Sequence, residues 1–98
     1  MRDLSALTHA DFEACVGQPF ALASEEIALE LVEVEKRGTF EAEVHKRQAF
    51  SAIFRGPPES VLEQRIYALN NATLGEVELF LVSLGPDAAG MLYEAVFT

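Results

Sequence analysis

Two histidines, one cysteine and a glutamate set inside an apolar run are the residues of this chain whose chemistry could go beyond packing. His9 falls in the first turn of a predicted helix, and His45 lies in a charged stretch whose Lys46 and Arg47 repel a bound cation. Neither stands at a ligand spacing with Cys15, so no metal site is predicted. Cys15 needs a neighbouring base or cation to act as a nucleophile. Beside Phe12 and Val16 on a helix, it is expected to be a small buried hydrophobe instead.

Glu94, between Tyr93 and Ala95, is a carboxylate in an otherwise apolar strand. Arg55 is its expected partner, because a guanidinium can satisfy a partly buried carboxylate through two hydrogen bonds and so fix strand register. Acid–base chemistry at Glu94 requires a second polar group. Tyr67 could supply one, yet Tyr67 and Tyr93 are expected in the core with their hydroxyls at the rim. Gly85-Pro86-Asp87 and Gly90 offer one carboxylate where a calcium loop uses several. The chain has no glycine-rich phosphate signature, no Gly-x-Ser-x-Gly elbow and no Cys-x-x-Cys pair. No catalytic residue, cofactor or metal is expected, and the chain is read as a non-enzyme.

The elements that position these residues begin with a short helix over 7–17. Thr8 and Asp11 form a shortened capping box, Leu7 and Phe12 occupy staple positions, Gly17 supplies a left-handed stop and Pro19 bars continuation. Phe12, Cys15 and Val16 share the side expected to dock on a sheet. After Pro19 the period is two. Phe20 and Leu22 form a strand, and Ser24-Glu25-Glu26 a turn. In Ile27 to Glu35 the apolar phase slips near Leu31–Val32, so a bulge there is expected to return Ile27, Leu29, Leu31, Val32 and Val34 to one face. After a turn at Lys36 to Thr39, Phe40 to Lys46 reads as a strand, as does Gln48 to Phe54, covered on both sides and ended by Gly56-Pro57-Pro58. One helical turn is placed at Pro58 to Glu63, a strand at Arg65 to Leu69 and a loop at Asn70-Asn71.

Two apolar runs within Leu74 to Phe97 flank a Gly/Pro/Asp turn and read as a β-hairpin. Setting Leu81 opposite Tyr93 gathers Val77, Leu79, Leu81, Tyr93, Ala95 and Phe97 on one face. The other face, with Phe80, Val82 and Leu92, is apolar at one end and calls for cover by the helix or by another subunit. Together these elements give a mainly β domain: a small antiparallel β-barrel or sandwich of about six or seven strands with one short N-terminal helix.

At 98 residues, half of them apolar, one domain over 1–98 is expected. Sixteen acidic against seven basic residues leave a net charge of −9, which repels nucleic acid and anionic membrane surfaces. No apolar run approaches the ~18 residues of a membrane span, the N-terminus lacks a secretion signal, and the single cysteine suits a reducing compartment, so the cytoplasm is expected.

Phe54-Arg55-Gly56-Pro57, Tyr67-x-Leu69, Leu74-Gly75, Leu79-Phe80-Leu81-Val82, Gly85-Pro86-Asp87 and Tyr93-Glu94-Ala95-Val96-Phe97 occur in order, after Leu7-Thr8-x-x-Asp11-Phe12 and Gly17-x-x-Phe20. With these the chain resembles, over nearly its whole length, a family of small bacterial proteins classed as a domain of unknown function. It departs from that pattern at Glu63 and Arg65, where the family has Pro and Gly around the glutamine. The resemblance implies a bacterial source and a stand-alone domain, and favours an accessory role in a larger, phage-tail-like structure; it implies no reaction. Two functions are carried forward. One is a non-enzymatic interaction or assembly module that oligomerises or docks on a protein partner through Phe80, Val82 and Leu92 or through a free strand edge. The other is a small-ligand-binding β-barrel using Arg55, Tyr67, Tyr93 and Glu94.

Overall fold

A computed structural model of the chain describes residues 7–37, 49–59 and 61–97. Helix α1 (His9–Glu13) precedes six strands: β1 (Pro19–Leu22), β2 (Ala28–Lys36), β3 (Phe50–Gly56), β4 (Arg65–Asn71), β5 (Gly75–Pro86) and β6 (Met91–Phe97). They close into an antiparallel barrel in the order β1-β2-β3-β6-β5-β4. Closure gives each of these strands two neighbours, which removes the free edge considered as a docking route. The expected strand at Phe40 to Lys46, and His45 within it, lie outside the described residues.

The period-two pattern fills the barrel. Phe50, Ala52, Phe54, Tyr67, Leu69, Val77, Leu79, Leu81, Tyr93, Ala95 and Phe97 all point inward and are buried. A barrel this narrow has room for side chains and little else. Packing is close enough that a Cβ on Gly56 meets Leu29 Cδ2 at 2.7 Å.

In β2, Leu31 pairs with Phe54 and Glu33 with Ile53, so Val32 is the extra residue of the bulge. Ile27, Leu29, Leu31 and Val34 reach the core as expected, while Val32 is itself the inserted residue and stays half-buried at the kink. The chain leaving α1 holds this point: Gly17, at φ +90°, donates its N–H to Leu31 O at 2.7 Å, and Leu31 N–H donates to Gln18 O at 3.2 Å.

The hairpin keeps the expected inward set but not the expected register, because Ser83, two residues beyond Leu81, faces Tyr93. The cause is Asp87. Its N–H donates to Gly90 O at 2.8 Å, and its Oδ1 accepts from the N–H groups of Ala89 at 2.9 Å and Gly90 at 2.8 Å. This tight turn lets pairing run out to Pro86 and Met91, with an extra residue, Leu84, absorbed between Ser83 and Gly85. A displacement of two preserves which face each side chain takes.

Asn70 and Asn71 end β4 instead of forming a loop, with Asn71 paired to Gly75. Asn71 is buried and fully engaged. Its Oδ1 accepts from Thr73 N at 2.8 Å and Leu74 N at 2.9 Å, and its Nδ2 donates to Gln18 Oε1 and Pro19 O, both at 3.1 Å. The turn thus comes from an asparagine side chain bonding ahead of itself.

The ends of the barrel are closed differently. At one end Asp11 Oδ2 accepts from Thr8 N–H at 2.9 Å, starting α1, and Phe12 drops among Phe20, Phe50 and Phe97 at ring-centroid distances of 6.4, 5.6 and 5.0 Å. Phe12 and Cys15 are fully buried, but Val16 is 47% exposed, because the helix stops at Glu13 and the i, i+4 spacing no longer applies. At the other end the β3–β4 connection must pass β6 and β5 to reach β4, and it closes that mouth with Leu62.

Candidate functional site

The four polar residues expected to pair or to line a ligand cavity do not converge. Ile53 stands opposite Glu94 on β6, and Arg55 stands opposite Leu92, so Arg55 and Glu94 are only diagonal neighbours. Each takes another partner. Arg55 bonds Asp87 Oδ2 from Nε at 3.1 Å and from Nη2 at 2.7 Å, while Glu94 Oε2 accepts from Arg37 Nη1 at 3.3 Å. Arg37 also donates to Ser51 Oγ at 3.0 Å. Hydrogen bonding to Arg55, reinforced by the Ala89 and Gly90 N–H groups, holds the Asp87 carboxyl at about 2, below its ordinary 3.8.

Tyr67 and Tyr93 are buried with their hydroxyls at the mouth, where they fasten the β3–β4 connection. Tyr93 Oη accepts from Leu62 N–H at 3.0 Å and Tyr67 Oη donates to Glu63 O at 2.7 Å. A shallow cleft of about 270 Å³ lies beside this connection, lined by Glu25, Val61, Leu62, Glu63, Arg65 and Tyr67. The Arg65 guanidinium sits 4.8 Å above the Tyr67 ring, a cation–π contact that turns both inward on each other.

Cys15 is buried against Asn71 Oδ1 at 3.6 Å and Asp11 O at 3.5 Å, and burial pushes its thiol above the ordinary value. That is the reverse of an activated nucleophile. Among the described residues, no three His, Cys, Asp or Glu side chains gather as a metal site, and His9 bonds Glu13 Oε1 at 2.6 Å. No helix among them is long and apolar enough to cross a membrane.

What remains unaccounted for by packing is the outer face of β4, β5 and β6. Ile66 stands opposite Phe80 across the β4–β5 ladder, and the two are 63% and 49% exposed. Val82, two residues on from Phe80 and on the same face, is half-buried opposite Glu94; Leu92 is half-buried on β6. Helix α1 does not cover this face, since it packs on β2 and β3. Phe80, Val82 and Leu92 stand out in the sequence as the apolar end of a mixed face. Ile66 was the missing member, and its position out of phase with inward Tyr67 and Leu69 is the signal that places it outside.

A family model described as "Domain of unknown function (DUF6916)" matches residues 7–97. The chain belongs to this family. The matched span takes in the barrel from Leu7, beneath α1, to Phe97 at the end of β6, so the Ile66–Phe80 face lies within the family domain. No curated protein and no solved structure matches the chain.

Proposed function

We propose that this domain is a non-enzymatic interaction module that docks on a protein partner, as an accessory of a larger assembly, through the outer face of β4 and β5. The observation that carries this reading is the exposed pair Ile66–Phe80, two large apolar side chains set directly across from each other on the outer face of the β4–β5 ladder. The polar groups with chemical potential support the same reading: Arg55, Asp87, Glu94, Tyr67 and Tyr93 each hold a piece of the structure. A cytoplasmic setting rests on the single cysteine, which suits a reducing compartment, and a phage-tail-like assembly rests on the resemblance of the sequence alone.

The alternative, a small-ligand barrel, has less support. Its four residues point to three different places, and the cleft of about 270 Å³ falls short of the ~300–1,000 Å³ of ordinary ligand sites. The docking reading is tested by in-cell cross-linking in the organism that carries the gene, comparing the wild type with an Ile66→Thr/Phe80→Thr variant. A defined adduct present with the wild type and lost with the variant is the expected result. An adduct pattern unchanged by the variant rules this face out.

A further inference from the structure

The geometry points to a partner whose docking surface is apolar at its centre and basic around it, rather than to a second copy of this chain. The inference rests on the docking reading above and names the chemistry of the occupant from the charges that ring the face.

Along the β4–β5 ladder, the step beyond Ile66–Phe80 is Ala68 opposite Glu78, and the next is Asn70 opposite Glu76. On the other flank, Glu94 stands opposite Val82. The apolar centre is therefore bounded by the carboxylates of Glu78 and Glu76 along the β4–β5 ladder, in a chain of net charge −9, while on the β6 side Glu94 is paired with Arg37. Among the described residues, Arg37 is bonded to Glu94 and Ser51, Arg55 to Asp87, and Arg65 lies over the Tyr67 ring, which leaves Glu76 and Glu78 as the carboxylates of the rim.

A second copy uses the same patch about a two-fold axis. Setting Phe80 against its own copy gathers Glu76 and Glu78 of both chains, four carboxylates, at the rim of one drying interface, an arrangement that costs binding energy. Lysine or arginine around an apolar centre turns the same ring into attraction and speeds encounter. An anionic membrane or a nucleic acid meets the repulsion that a second copy meets.

The test uses three probes on the whole chain: an amphipathic peptide of leucine and lysine, a leucine and glutamate peptide of the same length and spacing, and the chain itself by sedimentation equilibrium. The leucine–lysine peptide is expected to bind at least about tenfold more tightly than its acidic counterpart, and to weaken by about tenfold between ~50 and ~500 mM salt as screening shortens. The Ile66→Thr/Phe80→Thr variant, which leaves the charge unchanged, is expected to lose about tenfold or more for that peptide; a thermal melt confirms that it is folded. Binding of the acidic peptide as tightly as the basic one, or a dimer that the variant abolishes, overturns the basic partner while leaving the face as the docking site. Basic-peptide binding that the variant does not weaken, or no binding of either peptide together with a monomer at all concentrations, overturns both.

Discussion

The two ends of the barrel are sealed by opposite physics. Helix α1 closes one with a plug of rings, Phe12 among Phe20, Phe50 and Phe97, with Phe50 and Phe97 themselves stacked at 4.5 Å. The β3–β4 connection closes the other with one leucine and two tyrosine hydroxyls, beside a hairpin turn tied down by Arg55 and Asp87. Apolar area is non-directional and strong in bulk, so it can hold a five-residue helix that has no stability alone. Hydrogen bonds and ion pairs contribute less net energy but fix position, which a connection crossing a barrel mouth needs more. The apolar end should therefore dominate stability, and the polar end should be the one that responds to pH.

The largest effect is expected from Phe12→Ala, which removes the plug and leaves a cavity that the backbone can fill only in part. A loss of about 3–5 kcal/mol in urea unfolding is expected. A loss under about 1 kcal/mol shows that the rings below re-close the end on their own and breaks the contrast. Next comes Gly90→Ala at the polar end. A Cβ there meets the Gly56 carbonyl oxygen, which is backbone and cannot swing aside, and Arg55 Cγ at 3.0 Å. Overpacking of this kind costs about 1–3 kcal/mol and should also loosen the hairpin turn, read as faster amide exchange at Ala89 and at residue 90.

The contrast between the ends also explains what could be read in the sequence. The left-handed turn at Gly17, the bulge after Leu31 and the inward set of the closing hairpin follow from apolar phase and glycine placement, both of which are local. Polar pairings are not local. Arg55 and Glu94 are well matched by type, yet a two-residue difference on β6 puts Leu92, not Glu94, across from Arg55, and Asp87 takes the guanidinium. Hairpin register failed for the same reason: parity comes from the pattern, but the count comes from the side chain of Asp87 in the turn. On the outer face Phe80 was legible as an apolar residue in a mixed row, whereas Ile66 becomes its partner only once β4 is known to lie beside β5.

Tyr93→Phe sharpens the polar end. It removes the acceptor of the buried Leu62 N–H without changing the shape of the ring, so a cost of about 1–3 kcal/mol is expected from the stranded donor. Tyr67→Phe should cost less, about 0.5–1.5 kcal/mol, since the Glu63 carbonyl it frees is only partly buried and can turn to water. Equal costs for the two indicate that the connection is held as one unit and not by its more buried bond.

The smallest effect is expected from Asp87→Asn, and its value lies in its pH dependence. The Asp87 carboxyl is held at about 2 in the fold against an ordinary 3.8. A carboxyl lowered by folding contributes stability that is complete above its unfolded value and is lost as pH falls through its folded value. The difference in melting temperature between wild type and Asp87→Asn should therefore stay constant above about pH 5, shrink below about pH 4 and approach zero near pH 2. The difference between wild type and Phe12→Ala, measured in the same buffers, should stay flat across this window, because the rings that Phe12 itself touches, Phe20, Phe50 and Phe97, carry no titrating group. An Asp87→Asn difference that also stays flat would mean that the Arg55–Asp87 pair leaves the stability of the hairpin unchanged, and that the polar end is held by the tyrosine hydroxyls and the Asp87-capped backbone turn alone.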